Sequence, residues 1–181
     1  MAASETHYTL DLPTFDAPVK LLIVVAPYYK DIADELVAGA KAVTEAAGAT
    51  WDIVEVPGAL EVPSAISIAH RMSNFDGYVA LGCVIRGETT HYDTVCNDSS
   101  RALTLLGLQG ACIGNGILTV ENRDQAVVRA EAKGQNKGGG AAAAGLHLVA
   151  LSRKWANPSK GVGFHTDAIK LAGETKGTDI A

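Results

Sequence analysis

The run Gly87-Glu88-Thr89-Thr90-His91 brings a glycine, a carboxylate, two hydroxyls and an imidazole into five consecutive residues. At the start of a helix such a run offers unpaired backbone N–H groups and the positive end of the helix dipole, which suits an anion of the phosphate type. Histidine is the residue type whose ordinary pKa of about 6.5 makes it the natural proton carrier near neutrality, so His91 is the candidate for proton transfer. The plainer reading is that Thr89 or Thr90 caps the helix and that the histidine is structural. Three other short segments carry comparable chemistry: Pro27-Tyr28-Tyr29-Lys30, Pro57-Gly58-Ala59-Leu60-Glu61 and Thr119-Val120-Glu121-Asn122. Glu61 either hydrogen-bonds a ligand hydroxyl or stabilises a helix N-terminus. Arg129 is able to clamp a phosphate bidentately, although an arginine on a helix is ordinarily a solvated face residue, and the same applies to Lys137. His7, His70, His147 and His165 have no suggested partners and read as structural.

The elements that must position these segments follow from periodicity. Val19 to Ala26 is a nearly all-apolar, β-branched run, as in a strand buried on both faces. Asp31 then opens, as a capping acid, a 3.6-period stretch that stops near Gly48. Strands at 50–56, 78–85 and 111–118 alternate with helices that begin near Pro63, Tyr92 and Asn122, and a glycine-rich joint, Gly134 to Gly140, precedes a last helix to about Trp155. Four such alternations predict an α/β fold, a three-layer αβα sandwich around a four-stranded parallel sheet. In that architecture ligands bind beyond the carboxyl ends of the strands, where all four chemical segments fall.

Composition narrows the function. The chain has 181 residues, 48% apolar and 19% charged, with a formal charge of −5. A chain of this size buries roughly 70% of its unfolded surface, enough for one globular core and against disorder as the dominant state. The division expected is an N-terminal arm over 1–17, an α/β domain over 18–155 and a mobile tail over 156–181 with a short helix around Ala168 to Ala172. An acidic balance with scattered Lys and Arg disfavours nucleic acid. The longest apolar stretches fall short of the roughly 18 to 20 residues that cross a bilayer and no leader opens the chain, so no membrane partner is expected and the location expected is cytoplasmic. Cys83, Cys96 and Cys112 are odd in number and lack C-x-x-C spacing, so they read as buried small hydrophobes in a reducing compartment. Gly134 to Gly140 lacks the context of a P-loop and no G-x-G-x-x-G follows the first strand, which removes support for a nucleotide cofactor.

With these segments in view, the chain resembles the 6,7-dimethyl-8-ribityllumazine synthase family. The resemblance rests on 56–63 (VPGALEVP), 82–93 (GCVIRGETTHYD) and 116–119 (GILT), with Asn122, Gln125-Ala126, Arg129-Ala130 and Asn136-Lys137-Gly138, and covers roughly residues 18 to 153. It implies a flavodoxin-like topology and the penultimate step of riboflavin biosynthesis, in which a ribitylaminouracil condenses with dihydroxybutanone phosphate without cofactor or metal. Carried over by position, the resemblance implies that Tyr28 stacks on the pyrimidine, that Ala59, Leu60 and Glu61 meet the ribityl chain, and that Cys83, Val84 and Ile85 line the ring. It makes Gly87, Glu88 and Thr89 the phosphate loop, His91 the proton-transfer residue, Arg129 the phosphate arginine and Lys137 an accessory lysine. Asn115 stands where some members carry an aromatic, Cys83 replaces a hydroxyl residue, and the tail is longer than in compact members. The resemblance also implies a homo-oligomer, a pentamer or a larger shell, with sites between subunits. Asn115, Arg129 and Lys137 would then come from the adjoining chain, and a strand near Tyr8 to Leu12 would add to a neighbour's sheet. Riboflavin synthase is the further protein partner it suggests. The rivals are a non-catalytic flavin- or lumazine-binding paralogue, a structural shell protein, and an electron carrier, the last lacking a hydroxyl-rich phosphate loop after the first strand.

Overall fold

Five consecutive buried residues, Leu21 to Val25, make β1 (Lys20–Val25) a strand covered on both faces. In the computed structural model, which describes residues 8–156, it is followed by α1 (Lys30–Ala46), β2 (Thr50–Glu55), α2 (Glu61–Met72), β3 (Gly77–Ile85), α3 (His91–Leu108), β4 (Ile113–Val120), α4 (Arg123–Ala130) and α5 (Lys137–Ala156). The four strands are parallel in the order β2-β1-β3-β4, with Ile23 registered against Ile53 on one side and Val79 on the other.

Because side chains alternate across a strand, β1 feeds two cores. Leu21, Ile23 and Val25 pack with Ile32, Leu36 and Ala40 of α1 and Ala142, Leu146 and Val149 of α5. Leu22 and Val24 pack on the other face with Val62 and Ile66 of α2 and Leu103 of α3. Each fully buried Val, Leu or Ile among them contributes about 1.5 to 3 kcal/mol. The result is the three-layer αβα sandwich expected, with flavodoxin-like topology.

Several local expectations are corrected. Asp31 does not cap α1, which begins one residue earlier; it sits in the first turn, and its carboxylate pairs with Arg123 of α4. That guanidinium holds the Asp31 carboxyl below its usual range. β4 lies two residues further along than its composition suggests, with Gly114 and Gly116 inside it. The joint is shorter than Gly134 to Gly140, because α5 starts at Lys137. Asn136, in a left-handed conformation (φ 48°), accepts the Gly139 N–H at 2.9 Å and so starts the helix before the glycines end. A Cβ on Gly138 would overlap the Leu36 carbonyl oxygen, so close packing against α1 holds these poor helix formers in α5.

All three cysteines are free, but only Cys83 and Cys112 are buried; Cys96 is half-buried on α3, beside the buried stripe of Val95, Ser99 and Leu103. No helix among the described residues is long and apolar enough to cross a membrane. Residues 8–15 take up neither helix nor strand. The tail from residue 157, with the helix expected near Ala168 and with His165, lies outside the described residues, as does His7.

Candidate functional site

The strand order creates the opening. From β1 the chain moves outward to β2, whereas from β3 it moves the opposite way to β4, so the loops leaving these adjacent strands pass to opposite faces. The α1 helix covers one face and α3 the other. Between the diverging loops lies a cleft of about 450 Å³. Its walls come from the segments after β1 and β2, the end of β3 and the segment that follows it: Tyr28, Ala59, Leu60, Glu61, Cys83, Val84, Ile85, Gly87, Thr89 and His91 all line it.

Tyr28 is 75% exposed at the mouth, where its ring meets that of Tyr29 edge to face at 5.1 Å. Tyr29 packs partly against the α1-side core and so anchors the pair. Glu61 is the first residue of α2, a place that favours a carboxylate, and it also lines the cleft. Cys83 forms part of the inner wall, and burial pushes its thiol up to about 11, which keeps it neutral and apolar at physiological pH.

The loop between β3 and α3 departs from the capping interpretation. Thr90 occupies the N-cap position but makes no side-chain cap hydrogen bond, and the Thr89 hydroxyl accepts only a long contact from the His91 N–H, at 3.4 Å. Among the described residues, the amides of Gly87, Glu88, Thr89 and Thr90 donate to no protein oxygen. A helix N-terminus with such amides faces the cleft through Gly87, Thr89, His91 and Tyr92. Glu88 is exposed beside the loop and is not part of the wall.

Besides Glu88, three residues expected at the site do not reach the cleft within one chain. Asn115 is exposed on β4, where its Oδ1 accepts the Ile117 N–H at 3.0 Å. Arg129 is half-buried on α4 and donates from Nη1 to the Gln125 carbonyl at 3.1 Å, and Lys137 is the exposed first residue of α5. Neither Arg129 nor Lys137 forms an ion pair among the described residues. Among the described residues no Lys or Arg lines the cleft, so none of them gives the wall at the α3 N-terminus a full positive charge. No cluster of three or more metal-ligating side chains occurs among the described residues.

Tyr92 and Val95 complete the wall on the α3 side. Their sequence signal was the helical period itself: Tyr92 follows His91 and Val95 lies one turn beyond it, so both share the end of α3 that meets the cleft.

A family model described as 6,7-dimethyl-8-ribityllumazine synthase matches residues 18–153. A protein of that name from Jannaschia sp. (strain CCS1) is 60% identical over 162 residues, covering 90% of this chain and 91% of its own. One from Novosphingobium aromaticivorans is 52% identical over 136 residues, 75% of this chain and 98% of its own. Another from Bartonella henselae is 54% identical over 138 residues, 75% of this chain and 89% of its own.

Proposed function

Since the chain belongs to the 6,7-dimethyl-8-ribityllumazine synthase family, we propose that the cleft between the β1 and β3 loops is where its reaction takes place. The enzyme condenses 5-amino-6-ribitylaminouracil with 3,4-dihydroxy-2-butanone 4-phosphate to 6,7-dimethyl-8-ribityllumazine, releasing phosphate and water. The observation that carries the assignment of the site is the opening of the α3 N-terminus, with His91, into the same cleft as Tyr28 and Glu61. Tyr28 stacks on the pyrimidine, Ala59, Leu60 and Glu61 hold the ribityl chain, and Cys83, Val84 and Ile85 line the ring. The amides of Gly87, Glu88 and Thr89 receive the phosphate.

The chemistry needs proton movements. The aminouracil amine attacks the ketone, the carbinolamine loses water to give an imine, and phosphate leaves before the ring closes. His91 carries protons in the dehydration and the phosphate elimination, a role worth about 10² to 10⁴ in rate. Its place at the first residue of α3 puts the imidazole beside the phosphate loop.

The missing cation points to a shared site. Phosphate bound only by amides and a helix dipole lacks a full countercharge, and Arg129 of an adjoining copy supplies it, with Lys137 as accessory and Asn115 at the edge of the pyrimidine pocket. The absence of an ion-pair partner for Arg129 among the described residues supports this role. β2 is an edge strand whose side chains, Trp51 apart, are exposed, which suits addition of a neighbour's N-terminal arm near Tyr8 to Leu12 in a cytoplasmic pentamer or a larger shell.

Product absorbance after mixing both substrates, against the uncatalysed rate, tests the reading. His91→Ala should lose about 10² to 10⁴ in turnover. Arg129→Ala should weaken use of the phosphorylated substrate by about 1.5 to 3 kcal/mol. Reassembling the two variants together should restore activity, because hybrid interfaces contain one intact site; no recovery in mixed assemblies would refute sharing.

A further inference from the structure

Arg86 is the first residue after β3, and its N–H extends the ladder to Val120 of β4 at 2.9 Å. Its side chain does not line the cleft. Instead Nε donates to Glu121 Oε2 at 2.8 Å, Nη1 reaches Asp93 Oδ1 at 3.3 Å, and the guanidinium lies 4.0 Å from the centre of the Tyr92 ring. Glu121 is itself held, since its N–H donates to Gln125 Oε1 at 3.0 Å in the first turn of α4. One side chain therefore ties the end of β3, the end of β4 and the first turn of α3 together. The segment it closes, from residue 86 to residue 93, contains the four amides, of residues 87–90, that have no protein acceptor among the described residues.

We propose that Arg86 is a positioning residue for the anion-binding loop, bracing residues 87–91 in the conformation that receives phosphate. This rests on the reading of that loop as the phosphate site. With four consecutive amides unpaired among the described residues, the loop is held mainly at its ends, and whatever freedom remains must be lost when the anion binds, which weakens binding. The brace removes that freedom beforehand. Arginine suits it because one planar fork reaches two carboxylates while its face lies on the ring of Tyr92; a lysine ammonium supplies only the charge. The stack also fixes Tyr92, whose ring borders the cleft beside His91. Arg86 already meets two carboxylates, so its charge is committed to the brace rather than to the ligand.

Inhibition by inorganic phosphate, competitive with the phosphorylated substrate, reads the loop directly. Arg86→Lys and Arg86→Met should each raise the phosphate inhibition constant and the KM for the phosphorylated substrate about threefold to tenfold, as expected for a small ion-pair network. The KM for the aminouracil should stay at its wild-type value in both, a split that general damage to the fold would not produce. Glu121→Gln gives the decisive sign. Removing a carboxylate near an anion site by itself strengthens phosphate binding, as it also would if Arg86 were thereby freed to hold the anion. The brace requires the opposite: Glu121→Gln should weaken phosphate binding, and its effect should not add to that of Arg86→Met. Tighter or unchanged phosphate binding in Glu121→Gln, or wild-type constants in both Arg86 variants, overturns the proposal while leaving the loop assignment standing. A wild-type enzyme that phosphate does not inhibit competitively overturns the loop assignment, and the brace with it.

Discussion

Two glycine-bearing regions of this molecule put the residue to opposite uses. Where α1, α5 and β4 meet, Gly114 lies against the Ala141 carbonyl, Gly138 against the Leu36 carbonyl, and Gly116 against Leu81 and Ala141. A Cβ at Gly114 or Gly138 would overlap backbone atoms, so this seam exists only because the side chains are absent. At the cleft, no described residue comes within 4 Å of where a Gly87 Cβ would stand, and the amides of residues 87–90 meet no protein acceptor among the described residues. In the seam glycine lets one backbone touch another. At the cleft it leaves a backbone open for a ligand, and local composition does not separate the two uses.

The largest effect should come from filling the seam. Gly114→Val or Gly138→Ala should cost about 3 kcal/mol or more, because the obstructing atoms are backbone and have no rotamer to change. Urea unfolding measures this, and a variant as stable as the parent would show that the seam yields.

Cys83 sits where the two regions touch, in the α1-side core and on the cleft wall at once. Its native thiol titrates at about 11, against an ordinary value of 9.0. Between those values the unfolded chain releases a proton that the native one keeps, so stability falls as pH rises through that window and is unaffected below it. Cys83→Ala removes this loss. The stability difference between parent and variant should therefore shrink from pH 8 to pH 10.5, and a gap that stays constant with pH would contradict the burial argument.

The smallest change in stability belongs to Gly87→Ala. Its φ lies outside the left-handed region and its surroundings are open, so stability should change by less than about 1 kcal/mol. The added methyl group crowds the amides instead, and the KM for the phosphorylated substrate should rise at an unchanged melting temperature. Equal KM values would remove Gly87 from the phosphate loop.

Much of the cleft lining was readable because it is local. Tyr28 and the Pro57 to Glu61 segment follow a strand, the Cys83 to His91 segment runs off the end of one, and the end of a parallel strand is where ligands meet such a sheet. The glycine-rich stretch was harder: by propensity Gly138 to Gly140 belong to a joint, yet α5 takes them in because Leu36 leaves no room for a side chain. Arg86 gave no signal, since Asp93 is seven residues away and Glu121 thirty-five.

The amino-acid order by itself determined the alternation of strands and helices, the parallel sheet and the identity of the loops that line the cleft, because periodicity and strand ends are properties of short segments. Tertiary structure alone decided that Thr90 leaves the α3 N-terminus uncapped, that Arg86 is spent on Glu121 and Asp93, and that no lysine or arginine among the described residues lines the cleft. Those outcomes depend on which distant groups meet in space, and charge pairing and close packing are settled only once the sheet has brought them together.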